Sequence, residues 1–236
     1  MVYGFIIAAG NQSRFKNSTP KCLMPINGEP MLDINIRNMQ TVCDEVFVVC
    51  SNSNRHLFTN YKTLTIQSGY GCGDAVWRAI GKLIMLRGII KKDDLCFIQW
   101  GDCFHDTSIY SVIKNAYNGK IVIPCVYENN PYVQIVPDED SVKVLFSKYK
   151  EPITAGWHDL SLFFGNVCDL MIHLNDFQES IWSDELQKYT HQHGNEFTFL
   201  DVFNETPIKA EVLEIKNYTT KDFNTVEEYE QMISKL

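Results

Sequence analysis

Three cations stand within eight positions of one polar loop: Arg14, Lys16 and Lys21. The loop reads Ala8-Ala9-Gly10-Asn11-Gln12-Ser13-Arg14-Phe15-Lys16-Asn17-Ser18-Thr19-Pro20-Lys21, and residues 11 to 25 contain no acid. Small residues let backbone N–H groups approach an anion closely, and the cations supply charge-assisted hydrogen bonds to its oxygens. The guest that suits such a loop is a triphosphate. This island of positive charge stands in a chain with 21 Lys plus Arg against 29 Asp plus Glu, a net charge of −8. That balance argues against a surface basic enough to track nucleic-acid phosphates, so any phosphate site must be local. A second candidate is Asp102, which follows the apolar run Leu95-Cys96-Phe97-Ile98-Gln99-Trp100 and Gly101. A carboxylate emerging from the end of such a strand faces the ligand crevice of a parallel sheet.

The elements that must position these groups follow from hydrophobic period. Apolar runs at Val2 to Ala8, Glu45 to Cys50, Thr63 to Gln67, Asp94 to Trp100 and Lys120 to Val126 read as strands. Between them, 30–40, 74–87 and 107–117 place apolar residues every three or four positions and read as helices. This βαβ rhythm predicts an α/β chain with a Rossmann-like, doubly wound, mostly parallel sheet, because parallel strands need crossovers and right-handed crossovers stack helices on the sheet. In the second half, 132–136, 142–146 and 159–164 read as extended, 167–174 and 181–192 as helical, and 210–215 as a further strand. Thr225 with Glu228 reads as the N-cap and capping box of a last helix. With no linker, repeat or low-complexity tract in 236 residues, the reading is one domain over 1–236. Its first half, 1–126, carries the cationic loop, and the second, 127–236, reads as lid-like. The eight cysteines form no C-x-x-C pair and read as reduced thiols of a cytoplasmic protein. No run of about 18 apolar residues suggests a membrane span.

Ala8-Ala9-Gly10 through Ser13-Arg14, followed by Pro20-Lys21, resembles the G-x-G-[ST]-R…P-K signature of the sugar-phosphate nucleotidyltransferases, the pyrophosphorylase superfamily. Three further landmarks follow in the family's order. Gly71-Cys72-Gly73-Asp74 resembles its G-x-G segment, Gln99-Trp100-Gly101-Asp102 its strand-end G-D, and Asp222-Phe223-Asn224-Thr225-Val226-Glu227-Glu228-Tyr229 its terminal segment. Gln12 departs from the family's second loop glycine, and Gly69 and Tyr70 stand where a base-reading glutamine is common, with Gln67 and Ser68 just upstream.

The resemblance implies the nucleotide-diphospho-sugar transferase fold and a Mg²⁺-dependent reaction. A phosphate oxygen of an acceptor attacks the α-phosphorus of a nucleoside triphosphate and expels pyrophosphate. On that resemblance Arg14 grips the β- and γ-phosphates, and Lys21 touches the α-phosphate and the attacking phosphate. Ala8, Ala9, Gly10, Asn11, Gln12, Ser13, Gln67, Ser68, Gly71, Gly73 and Asp74 line the nucleotide, and Asp102 with Asn224 holds the magnesium, Asp222 being the fallback ligand. Lys148, Lys150 and Glu151 fall roughly where an E-x-K-P-like stretch meets the acceptor. His158, beside Trp157, is a candidate for hydrogen-bonding an acceptor hydroxyl. His191 and His193 match no zinc spacing. The short chain and terminal motif resemble small bacterial cytidylyltransferases that act on capsule and lipopolysaccharide precursors, which puts transfer of CMP first and UMP next, with a sugar or polyol phosphate as acceptor. Two other classes share the fold: a GT-A-type glycosyltransferase, which normally carries a D-x-D pair where this chain has Asp102-Cys103-Phe104, and a non-catalytic sugar-nucleotide-binding regulator. The sequence leaves the oligomeric state open, a homodimer included.

Overall fold

The computed structural model describes residues 1–10, 19–67, 70–147, 153–191, 195–216, 218, 223 and 225–234. Among these, ten strands form one sheet: Val2–Ile7 (β1), Glu45–Ser51 (β2), Thr63–Ile66 (β3), Leu95–Trp100 (β4), Ile121–Asn129 (β5), Val133–Pro137 (β6), Val142–Phe146 (β7), Ala155–Asp159 (β8), Leu162–Asn166 (β9) and Ala210–Glu214 (β10). Their spatial order is β3-β2-β1-β4-β9-β5-β8-β6-β7, with β10 beside β5. Strands β1 to β6 and β10 run in one direction and β7, β8 and β9 in the other, so the sheet is mixed but mostly parallel. β1 is apolar at nearly every position because it is paired on both edges, with β2 and β4, and covered on both faces.

The helices are Met31–Met39 (α1), Cys72–Arg87 (α2), Thr107–Ala116 (α3), Val167–Ile181 (α4), Val202–Glu205 (α5) and Val226–Ile233 (α6). α2 and α4 cover one face of the sheet, burying Val76, Ile80, Leu83, Leu170 and Leu174 with Tyr3 and Phe5 of β1. α1 and α3 cover the other, burying Leu32, Ile109 and Ile113 with Ile6, and α6 packs Tyr229 and Met232 against the same layer. No helix among the described residues is long and apolar enough to cross a membrane.

Element ends obey local chemistry. α2 stops at Gly88, whose φ of 72° suits a glycine and whose N–H closes on the Ile84 carbonyl. α6 opens with the expected capping box, Thr225 accepting from the Glu228 N–H and Glu228 accepting from that of Thr225. Two segments depart from the sequence reading. The span 159–164 is not one strand: the Asp159 carboxylate accepts the Ser161 N–H at 2.8 Å, and Ser161 takes φ 57°, so the chain kinks between β8 and β9, which both run antiparallel to β5. The helix expected at 181–192 is not formed through 182–189. α4 ends at Ile181, and Trp182–Ser183 pairs antiparallel with Lys188–Tyr189. Ser183 Oγ accepts from the Leu186 N–H, Asp184 Oδ1 from the Trp182 indole and the Asp184 carbonyl from the Gln187 amide, local bonds that compete with helix formation.

Asn166 joins β9 to α4. Its carboxamide oxygen accepts the Cys168 and Asp169 N–H groups at 2.8 and 3.1 Å, while its nitrogen donates to the Lys92 carbonyl at 2.7 Å. Asn166→Ala should cost about 1–2 kcal/mol as a lost N-cap, lowering Tm by roughly 3–8 °C for a chain of this size. Thermal unfolding monitored by circular dichroism would measure it.

Candidate active site

The site forms where β1 and β4, neighbours in the sheet, end together. The Gly101 N–H donates to the Ile7 carbonyl at 2.9 Å, and a Cβ on Gly101 would lie only 2.9 Å from that oxygen. The glycine before Asp102 therefore permits the two strand ends to approach closely. On the other side of β1, Asn54 donates to the Ala8 carbonyl at 3.0 Å and accepts the Ser51 N–H at 2.8 Å, tying the β2 end to the β1 end. Ala8 and Ala9 are buried and Gly10 is exposed.

Lys21 enters from a single 3₁₀ turn, Lys21–Leu23, begun by Pro20 at φ −55°. Its side chain is only 6% exposed, and its ammonium lies 3.3 Å from Asp102 Oδ2, with the Phe223 ring centroid 6.0 Å away. The Asp102 side chain is 43% exposed. A mostly buried cation is thus paired with a carboxylate that still has lone pairs open to solvent. The next residue, Cys22, is no nucleophile: burial, reinforced by the Asp102 charge, pushes its thiol up to about 12.

Buried amides that the sequence reading did not single out hold the loop carrying Asp102. Gln99, on β4, accepts from the Tyr110 hydroxyl at 2.6 Å and donates to the Cys103 carbonyl at 3.1 Å. Asn35 on α1 donates to the same carbonyl at 2.8 Å, and Asn38 donates to the His105 carbonyl at 3.0 Å while accepting from Thr107 at 2.7 Å. A loop next to a ligand crevice cannot use the sheet ladder, so its carbonyls are satisfied by side chains from α1 and β4 instead. The available signal was a pair of asparagines three residues apart on the apolar face of α1, and a glutamine inside an apolar strand.

The C-terminal segment completes this side. Phe223 is buried against Tyr229, ring centroids 5.1 Å apart, and the Tyr229 hydroxyl donates to the Pro25 carbonyl. Tyr218 and His105 share a hydrogen bond of 2.7 Å. The 3₁₀ turn at Lys21, the β4 end and Phe223, distant in sequence, therefore meet around the Lys21 ammonium.

Against this geometry, the model of the MobA-like NTP transferase domain matches residues 4–132, more than half of the chain. The protein belongs to the MobA-like NTP transferase family. The match contains the first loop, Lys21, the glycines at 71 and 73, and Asp102. Bifunctional protein GlmU of Sulfurovum sp. (strain NBC37-1) is 26% identical over 150 residues, covering 57% of this chain and 34% of that protein. The chain thus spans about a third of the length of that relative. Among solved structures, HddC from Yersinia pseudotuberculosis has a TM-score of 0.67 at 16% identity, covering 100% of this chain and 99% of that one. The CTP:phosphocholine cytidylyltransferase from Streptococcus pneumoniae has a TM-score of 0.66 at 14% identity, covering 99% and 98%. At these identities the likeness is one of fold, and it extends over the whole NTP transferase chain.

Other residues singled out in the sequence fall in different places. Gly71 has φ 99°, and a Cβ there would lie 2.4 Å from the Phe197 carbonyl oxygen; one on Gly73 would lie 2.4 Å from the Phe197 ring. The Gly73 N–H donates to that same carbonyl at 2.8 Å. Packing of Phe197 therefore accounts for both glycines without a ligand. Asp74, read as lining the nucleotide, is 1% exposed, and its carboxylate accepts from Arg78 Nε at 2.6 Å and from the Tyr189 hydroxyl at 2.5 Å, so that side chain faces inward. Gln67 is exposed just beyond β3. His158 Nδ1 on β8 lies 2.6 Å from Glu128 on β5. Asn11, Gln12, Ser13, Arg14, Ser68, Lys148, Lys150, Glu151, Asp222 and Asn224 lie outside the described residues.

The glycines give a test of strain against space. Gly71→Ala should cost more than about 2 kcal/mol, since the added carbon meets backbone and the residue stays at positive φ. Gly10→Ala, with nothing among the described residues within 4 Å of its Cβ, should change stability by less than about 0.5 kcal/mol. Urea unfolding of the two variants makes the comparison.

Proposed function

We propose that the protein transfers a nucleoside monophosphate, CMP in first place and UMP next, from a nucleoside triphosphate to a sugar or polyol phosphate, releasing pyrophosphate. The observation that carries this reading is the buried Lys21 ammonium held 3.3 Å from Asp102 at the joint carboxyl ends of β1 and β4, inside the matched NTP transferase segment. The preference for CTP draws support from the terminal motif and from the Streptococcus pneumoniae fold neighbour, which is named for CTP. In this reading residues 1–126 bind the nucleotide and 127–236 the acceptor, and the product serves surface-polysaccharide synthesis in the cytoplasm, a setting that suits eight cysteines with no C-x-x-C pair.

Two polyanions must meet, so the main obstacle is their repulsion. Arg14, a bidentate fork, is suited to the β- and γ-phosphates and to the departing pyrophosphate. Lys21, a point charge, is suited to the α-phosphate and the incoming acceptor oxygen, where geometry changes during the reaction. That oxygen attacks phosphorus in line as the bond to the β-phosphate bridging oxygen breaks, and the protein positions and neutralises without forming a covalent bond. The residues present fit magnesium: Asp102 offers an exposed hard oxygen at the strand end, and this ion usually takes one or two carboxylates together with phosphates and water. Among the described residues no group of three or more His, Cys, Asp or Glu could hold a metal alone, which suits an ion shared with the triphosphate. Asp102, with Asn224 as partner, would hold it, and when bound it supplies charge neutralisation on the phosphates.

A pyrophosphate-release screen of CTP, UTP, ATP, GTP and dTTP against a panel of sugar, polyol and amino-alcohol phosphates with Mg²⁺ tests the proposal, and turnover with CTP and a polyol or sugar phosphate is the expected result. Arg14→Ala and Lys21→Ala should each lower kcat/KM by on the order of 10²- to 10³-fold. Release of free nucleoside diphosphate from a nucleotide sugar would refute the reading in favour of glycosyl transfer.

A further inference from the structure

The loop that bears Asp102 is held on one side by Asn35, Asn38 and Gln99. Its far end carries another contact that none of those residues explains. His105 is 2% exposed, and its Nδ1 lies 2.7 Å from the hydroxyl of Tyr218, which also lies 3.4 Å from the Phe104 carbonyl. The two rings are tilted by 31° with centroids 6.1 Å apart. Burial, with Asp106 and Cys103 adding to it, pushes the Tyr218 phenol above its ordinary range, so the hydroxyl keeps its proton to donate. Five residues later Phe223 is buried, 6.0 Å from the Lys21 ammonium and in ring contact with Tyr229. Tyr218 is thus anchored to the same loop whose carboxylate pairs with Lys21.

We infer that Tyr218, through its hydrogen bond to His105, is a positioning residue that ties this point of the chain to the Asp102 loop and so keeps Phe223, five residues on, against the Lys21 ammonium. The ring face contributes a weak cation–π attraction at this distance. Its larger effect is to exclude water from one side of the cation, which strengthens the field that Lys21 presents to a phosphate. Among the described residues, its own 3₁₀ turn, the carboxylate of Asp102 and the ring of Phe223 hold Lys21. This inference rests on the proposed role of Lys21 at the phosphates, but its geometric content does not depend on turnover.

The test reads the accessibility of Lys21 directly. The full chain is treated with an amine-selective acetylating reagent, and labelling of Lys21 is followed by peptide mass spectrometry, with the exposed Lys143 as reference. Tyr218→Phe removes only the hydroxyl and should raise the Lys21 labelling rate about 5- to 10-fold, the scale of one lost hydrogen bond, with Lys143 unchanged. Phe223→Leu should raise it as well, with the Tyr218 anchor intact. His105→Asn, whose carboxamide can place an oxygen near the former Nδ1, should restore protection to within about 2-fold, whereas His105→Leu should not. In the pyrophosphate assay, Tyr218→Phe should lower kcat by a similar factor with KM for the nucleotide unchanged. Labelling of Lys21 at the wild-type rate in Tyr218→Phe would overturn the inference, as would equal labelling in His105→Asn and His105→Leu. If no substrate pair yields pyrophosphate while the labelling pattern holds, the functional reading fails and the positioning role stands.

Discussion

The structure turns on keeping a cation buried and ready. An ammonium that is 6% exposed needs a counter-charge, but a counter-ion that saturated it would leave nothing for a substrate phosphate. Asp102 meets both demands because it is half exposed and approaches at 3.3 Å rather than in a tight bidentate clasp. In the proposed function Lys21 would face the phosphates of the triphosphate, and Asp102 would help hold a divalent ion whose charge would offset theirs. An exposed lysine would contribute far less, since water screens a surface pair to a fraction of its strength.

That arrangement constrains what surrounds it. The carboxylate must stand at a strand end, so the last turn of backbone cannot be satisfied by the sheet, and three amides, Asn35, Asn38 and Gln99, take over its carbonyls. The two strand ends must lie close, which Gly101 allows by lacking a Cβ against the Ile7 carbonyl. The open side of the cation is covered by Phe223, brought in from the far end of the chain. The NTP transferase family segment, residues 4–132, supplies the cation and the carboxylate, and the C-terminal residues supply the cover.

The glycines at 71 and 73 show how one residue type can carry two explanations. Both belong to a stretch that resembles the family's G-x-G segment, and both have Phe197 2.4 Å from where a Cβ would sit. Asp74 beside them anchors Arg78 and Tyr189 across the α2–α4 layer. The helix start is therefore fixed by contacts within the protein, and any base or ribose would lie against a surface already built for another purpose.

The amino-acid sequence by itself determined the first half of the fold. Long apolar runs separated by helix-period segments leave a chain little choice but parallel strands with crossovers, and β1 to β4 fall within one or two residues of that reading. The loop chemistry was equally legible, because a cluster of cations without acids has local meaning. The second half was not: whether 159–164 is one strand or two depends on a single left-handed Ser161, and whether the chain after Ile181 stays helical depends on side-chain bonds at Ser183 and Asp184 that rival the helix by a small margin. The meeting of Lys21, Asp102 and Phe223 was settled only by the tertiary structure. Residues 81 and 202 positions apart come together through sheet order and the return of the C-terminal segment, and no local pattern encodes which of 21 cations loses its water.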